Sequence, residues 1–270
     1  MKVVSCRLKS KVIPKQTLKE YLIPTRYHSA FAYQNVYQKP LKTTAPAEQG
    51  ATLPVQQQQY KPYTKTQLAD LFPAVNFSLP WVIEFGTGTG EFLIAAAQQH
   101  PNKLFIGVDV ARPCIERAIA KIASLNLKLQ HENKEPRVTN LLFYNGFALD
   151  FLQADFIHFP LTEVLVNFPD PWPKKRHHKR RIISTPFITA LTQALVEGGL
   201  LITVTDVAAL YEYHLEIIAI NRAWTALSFD KNLPAYDYYR FCSRYEQKNL
   251  AQTKQFFYTA HRLTALSKKL

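Results

Sequence analysis

Residues 167–181 read Asn-Phe-Pro-Asp-Pro-Trp-Pro-Lys-Lys-Arg-His-His-Lys-Arg-Arg. The run sets one carboxylate, Asp170, between two prolines and beside a tryptophan, then follows them with cations. Each proline fixes its own φ and biases the residue before it towards extended backbone, so the acid and the ring sit on a stiff loop. Such a loop suits an aromatic, polyanionic substrate, and nucleic acid is the obvious candidate. Lys175, Arg176, Lys179, Arg180 and Arg181 could hold phosphates, which positions a nucleic acid without reading its bases. His177 and His178 read as loop donors, and their spacing offers no metal partner set. The plainer reading, a solvated basic turn or a localisation signal, loses ground once the upstream segment is read.

That segment is Trp81-Val82-Ile83-Glu84-Phe85-Gly86-Thr87-Gly88-Thr89-Gly90-Glu91. Its apolar start reads as a buried strand, and Gly86, Gly88 and Gly90 form the turn that leaves it. Glu91 to Ala97 then opens a helix. Glycines in such a turn reach positive φ cheaply and admit a ligand close to the backbone. Glu84 stands on the strand two residues ahead of Gly86. The next strand, Leu104 to Asp109, ends in an acid that could accept both hydroxyls of a ribose. Its alternative is to cap the helix that begins near Ala111-Arg112-Pro113. The pair of segments points to a nucleoside-containing cofactor without separating NAD from S-adenosylmethionine.

Glu84-Phe85-Gly86-Thr87-Gly88-Thr89-Gly90, Gly107-Val108-Asp109, Phe168-Pro169-Asp170-Pro171-Trp172-Pro173-Lys174 with its basic tail, and Thr205-Asp206 together resemble the bacterial tRNA (guanine-N7-)-methyltransferase family. They occur in that family's order, over roughly residues 60 to 260. The Pro-Asp-Pro-Trp block is specific; the glycine turn is shared by most class I methyltransferases. The resemblance implies transfer of a methyl group from S-adenosyl-L-methionine to N7 of a tRNA guanosine, usually at position 46 of the variable loop. It implies cofactor contacts from Glu84, Gly86, Gly88, Gly90 and Asp109, and substrate contacts from Lys174 and Asp206. Near the C-terminus, Ser243-Arg244-Tyr245-Glu246 is similar to the family's Thr-Lys/Arg-Phe-Glu motif, which adds Ser243, Arg244 and Glu246 to the substrate set.

One position departs. Where the family carries a Gly-Asp-Ala type turn beside the cofactor adenine, this chain reads Asn145-Gly146-Phe147-Ala148. Asn145 or a backbone amide could bond the adenine while Phe147 packs on it; otherwise cofactor affinity is reduced.

Guanine N7 attacks with a lone pair and has no proton to lose, so the reaction has no obligatory base. Holding N7, methyl carbon and sulfur in line does much of the work. Positive charge moves onto the purine, and a nearby carboxylate stabilises it. Asp170 is the candidate for that role, through its field or by accepting from guanine N1–H and the N2 amine. Trp172 could stack on the target base or anchor the loop.

With 270 residues, 33 Lys and Arg against 20 Asp and Glu, and a net charge of +13, the chain favours polyanion partners. Cys6, Cys114 and Cys242 form no C-x-x-C, so neither a disulfide framework nor a zinc site is expected, and a reducing cytoplasm fits. No stretch is long and apolar enough for a membrane span. No metal and no obligatory protein partner are expected, and the protein is expected to act as a monomer or homodimer. Residues 1–60 form a basic, tyrosine-rich extension. Its Tyr21, Tyr27, Phe31, Tyr33 and Tyr37 could stack on RNA bases or coat the core. Residues 61–270 form the catalytic domain. From residue 80 strand and helix patterns alternate. The expected fold is α/β and Rossmann-like, a class I methyltransferase with a mostly parallel seven-stranded sheet and helices on both faces. Strands are expected near 139–144, 161–168, 200–205, 238–241 and 256–258, and helices near 112–126, 185–196 and 208–224. Glu84, Asp109, Asp170 and Asp206 would then meet at the carboxyl ends of the strands. Two other readings remain: a methyltransferase-fold RNA-binding protein without catalysis, and a nicotinamide-dependent oxidoreductase, which the glycine spacing fits poorly.

Overall fold

The computed structural model describes residues 15–24, 63–132, 138–155, 159, 161–230, 239, 245 and 255–264. Its centre is β2 (Trp81–Phe85), flanked by β3 (Leu104–Asp109) and β5 (Leu161–Asn167), all parallel. Every residue of β2 is buried, which is why it reads as a continuous apolar run. Period-2 alternation still sorts its side chains. Val82 packs with Leu93, Phe105, Ile119 and Leu165 on one face. Trp81, Ile83 and Phe85 pack with Phe187 and Leu191 on the other.

β4 (Leu141–Asn145) lies outside β3, and β6 (Leu195–Thr205) lies outside β5. The antiparallel β8 (Phe257–Leu263) follows, then β7 (Trp224–Leu227) at the edge. Helices α3 (Glu91–Gln99) and α4 (Arg112–His131) cover one face. Helices α2 (Lys65–Leu71) and α6 (Thr185–Ala194) cover the other, while the short α5 (Ala148–Asp150) runs into a π-helical turn. Helix α7 (Ala208–Ala219) follows β6.

The expected mostly parallel sheet is present, and among the described residues it has eight strands, one more than expected. Downstream of helix α1 (Lys15–Tyr21), β1 (Leu22–Ile23) pairs in parallel with β4, Leu22 beside Phe143 and Ile23 beside Tyr144. The open edge of β4 offers unpaired backbone groups, and Ile23 brings a side chain that becomes fully buried there. The Tyr21 hydroxyl accepts from Asn126 Nδ2 at 2.9 Å, and the Tyr63 hydroxyl donates to Pro24 O at 2.6 Å. Tyr21 therefore belongs to the packing of the sheet edge rather than to a stacking surface. Tyr27, Phe31, Tyr33 and Tyr37 lie outside the described residues.

Three helix ends also move. Helix α4 runs to His131, one turn past the expected stop, with Lys128 and His131 complementing its carbonyl end. Helix α6 stops at Ala194 because Leu195 joins the sheet beside Leu161. Helix α7 stops at Ala219, and Trp224 starts a strand because it pairs with Leu263 while its indole N–H donates to Thr192 Oγ1 at 2.9 Å. Of the strand expected near 238–241 only Tyr239 is described, and it is buried; the rest lies outside the described residues, among which β7 stands at the edge beyond β8.

Candidate active site

The glycine turn sits at the carboxyl end of β2. Gly86, Gly88 and Gly90 all have positive φ (82°, 56° and 73°). A Cβ on Gly88 would meet nothing within 4 Å, whereas one on Gly90 would lie 2.8 Å from Ala118 Cβ. The turn is thus open at its middle and closed against α4 at its end. Two N–H groups secure it, Gly86 to Val108 O at 2.8 Å and Thr87 to the same oxygen at 3.2 Å.

Asp109 closes β3. The Gly88 N–H donates to Oδ2 at 2.9 Å and the Ala111 N–H to Oδ1 at 2.7 Å. Asp109 does not cap α4, whose N-cap is Ala111 with no side-chain hydrogen bond; its carboxylate instead ties the glycine turn to the segment before the helix and borders the cavity. Burial lifts its carboxyl above the usual carboxylate range, the two N–H groups oppose this, and the Asp170 charge adds to it. Two N–H donors leave lone pairs on the carboxylate for a diol.

A cavity of about 760 Å³ opens in front of these elements. Gly86, Asp109, Phe147 and Asp170 border it, as do Val110, Trp172 and Arg181. The volume lies within the range of small-molecule sites. Asp150 was not evident from the sequence, yet it is buried and sits on the same wall, three residues after Phe147 on α5. That i, i+3 spacing of an acid behind the aromatic was the available signal. Asn145 is not on the cavity wall; its Nδ2 donates to Asp109 O at 2.9 Å and helps lock the two strand ends.

Glu84 does not border the cavity; it is buried beneath the turn. Thr87 Oγ1 donates to its Oε2 and Asn167 Nδ2 to its Oε1, each at 2.8 Å. The Tyr239 hydroxyl in turn donates to Asn167 Oδ1 at 3.0 Å. Glu84 thus ties the glycine turn to the residue that opens the Pro-Asp-Pro-Trp loop. Burial pushes its carboxyl from 4.5 up to about 7, against the two hydrogen bonds. The folded protein therefore keeps a proton that the unfolded chain releases. Stability should fall as pH rises from about 4.5 to about 7 and be level above, by roughly 3 kcal/mol in all. Glu84→Gln should remove this slope. Thermal denaturation of both proteins across pH 4–8 checks it, and parallel profiles would refute the assignment.

The acidic loop follows β5. Phe168 and Trp172 adopt positive φ (47° and 42°), although each precedes a proline and was expected to be extended. Such conformations cost on the order of 1–3 kcal/mol each and persist only when neighbours hold them. Asp170 lies exposed between the two, and among the described residues its carboxylate accepts no hydrogen bond from its own loop. It is presented to the cavity rather than used as a turn cap.

The basic run divides. It forms a 3₁₀ helix over Lys175–Arg180, with Lys174 at its start. Lys174, Lys175, Arg176 and Lys179 are exposed. Arg180 and Arg181 fold inward: Arg180 lies 4.8 Å over the Trp172 ring, and Arg181 lies 4.3 Å over Tyr213 on α7. Arg181 Nε also donates to Pro171 O at 3.0 Å. Trp172 meets the His177 ring edge-on at 5.8 Å, so the indole is anchored as well as cavity-facing.

Asp206, after β6, is not on the cavity wall; its Oδ2 accepts from the Tyr245 hydroxyl at 3.0 Å. Of the four acids expected to converge, Asp109 and Asp170 border the cavity, Glu84 is buried beneath the glycine turn, and Asp206 is not on the cavity wall. Ser243, Arg244 and Glu246 lie outside the described residues. No group of three His, Cys, Asp or Glu side chains among the described residues could hold a metal ion. No described helix is long and apolar enough to cross a membrane.

The strand order β1-β4-β3-β2-β5-β6-β8-β7, with β8 reversed, a glycine turn after the central strand and an acid ending the next, defines a class I methyltransferase. Among solved structures, the 16S rRNA methyltransferase KamB matches with a TM-score of 0.51 at 12% identity, over 76% of this chain and 96% of that one. An antibiotic-related methyltransferase matches with a TM-score of 0.50 at 17% identity, over 74% and 95%. A family profile described as "Putative methyltransferase" matches residues 78–259. The tRNA (guanine-N(7)-)-methyltransferase of Pseudoalteromonas atlantica is 33% identical over 184 residues, 68% of this chain and 72% of the relative. That of Buchnera aphidicola subsp. Baizongia pistaciae is 34% identical over 182 residues, 67% and 71%. The chain belongs to the tRNA (guanine-N7-)-methyltransferase family.

Proposed function

We propose that this protein methylates N7 of a guanosine in tRNA, using S-adenosyl-L-methionine as donor and leaving S-adenosylhomocysteine. The observation that carries the reading is the meeting of two elements on one cavity: the glycine turn with Asp109, and the strained loop that presents Asp170.

The donor supplies an electrophilic methyl on a sulfonium; the remaining work belongs to the chain. The residues fit such a ligand. The turn is open at Gly88, Asp109 retains lone pairs for a ribose diol, and Val110 and Phe147 offer apolar surface for a purine. Asp150 takes the exocyclic amine that the family's missing acid would otherwise meet. Glu84 acts from below by holding the turn and Asn167. Asp170 accepts from the guanine edge and stabilises the charge that develops on the purine. Trp172 backs the base. The exposed Lys174, Lys175, Arg176 and Lys179 hold backbone phosphates, and Asp206 with Ser243, Arg244 and Glu246 completes the substrate side.

Residues 61–270 constitute the catalytic domain and residues 1–60 a basic extension that also contributes to the sheet edge. The protein acts in the cytoplasm as a monomer or homodimer, with neither a metal nor an obligatory protein partner. The test uses purified protein, labelled S-adenosylmethionine and unmodified tRNA, followed by nucleoside analysis. Label in 7-methylguanosine supports the reading. Binding of tRNA without transfer would replace it with a non-catalytic RNA-binding role.

A further inference from the structure

Two arginines end the basic run, and the second is not arranged as a phosphate contact. The Arg181 side chain is half-buried and meets two partners, one on the Asp170 loop and one on α7. Its Nε donates to Pro171 O at 3.0 Å, and its guanidinium lies 4.3 Å over the Tyr213 ring. Pro171 has no N–H, so its carbonyl is its one backbone handle, and it follows Asp170 directly. The next residue along α7 from Tyr213 is His214, buried and bonded through Nδ1 to Thr203 Oγ1 of β6 at 3.1 Å. Thr203 Oγ1 in turn meets Thr259 Oγ1 of β8 at 2.9 Å. A continuous set of contacts therefore runs from the buried sheet through α7 and Arg181 to the peptide that carries Asp170. The loop needs such a hold, because Phe168 and Trp172 both sit at positive φ ahead of prolines.

We propose that Arg181 is a positioning residue for methyl transfer, holding the Pro171 carbonyl and through it the Asp170 carboxylate, while the exposed cations serve the phosphates. The proposal rests on the function proposed above. A planar guanidinium suits the place: it stacks on an aromatic ring and donates from a fixed direction, which a lysine ammonium does not reproduce. Arg181 therefore governs turnover rather than tRNA affinity.

The experiment compares wild type, Arg181→Ala, Arg181→Lys, Tyr213→Ala and the Arg181→Ala/Tyr213→Ala double variant of the full chain. Melting temperatures identify any variant that does not fold, and Arg181→Lys carries the test if Arg181→Ala fails. Kinetics at saturating S-adenosylmethionine should show kcat for Arg181→Ala lowered at least tenfold, with the tRNA KM within about twofold of wild type. Arg181→Lys should recover only part of kcat. The double variant should be little worse than Arg181→Ala alone, since both changes break the same chain of interactions. Loop order is read separately by acrylamide quenching of tryptophan emission. Trp81 and Trp224 are 1% and 8% exposed, so quenching reports the half-exposed Trp172 and should rise in Arg181→Ala. A raised tRNA KM with unchanged kcat and quenching would overturn the proposal and return Arg181 to the phosphate contacts. If wild type itself transfers no methyl group, the functional reading fails. The quenching comparison then still decides whether Arg181 holds the loop.

Discussion

Asp170→Ala should lower methyl transfer to tRNA by about 10²–10³-fold or more, the range typical for removing one preorganised charge-stabilising group. S-adenosylhomocysteine affinity should stay within a few-fold of wild type. The reasoning is geometric. Guanine N7 needs no deprotonation, so the protein contributes by orienting the purine and by countering the charge that appears on it. Asp170 is exposed, borders the same cavity as Asp109, and lies between two residues at positive φ. The cofactor side, by contrast, rests on the glycine turn and Asp109, which the substitution leaves in place. Asp170→Asn separates two contributions: it keeps the shape and one acceptor but loses the charge, and it should fall near the alanine variant if the field dominates. Single-turnover rates with titration calorimetry check this. A fully active Asp170→Ala protein would remove the role assigned to the loop.

The second large effect concerns the outer cations. Lys175→Glu/Arg176→Glu/Lys179→Glu should raise the tRNA Kd by about two orders of magnitude at moderate salt. The slope of log affinity against log salt should fall by roughly one for each phosphate that is no longer neutralised. The three side chains are exposed on one short helix, so neutralised phosphates there release counterions freely. At saturating tRNA, kcat should recover most of its wild-type value, which distinguishes this variant from Asp170→Ala. Filter binding at several salt concentrations measures the slope. An unchanged slope would show that the tRNA backbone lies elsewhere.

Much of the site was legible because local rules are strong. Trp81–Phe85 and Leu104–Asp109 appear with the boundaries that their apolar runs indicate, since strands buried on both faces tolerate few polar residues. Gly86, Gly88 and Gly90 all take the positive φ that the turn requires, because glycine alone reaches it cheaply. The acid between prolines marked the loop that faces the cavity. Spacing alone thus determined the central strands, the turn and the position of Asp170 after β5.

Tertiary structure decided the rest, because burial direction and edge pairing depend on contacts far apart in the chain. A two-residue strand such as Leu22–Ile23 has no periodicity to read; it exists because β4 leaves an edge open. Trp224 leaves its helix for a strand because Leu263 and Thr192 are there to receive it. Glu84 and Asp170 are both acids near strand ends, yet packing sends one beneath the glycine turn and the other into the cavity. Lys175 and Arg181 carry the same charge in one run of cations. Only the ring of Tyr213 and the carbonyl of Pro171 turn the second inward, where a stacked guanidinium has more to meet than it would in water.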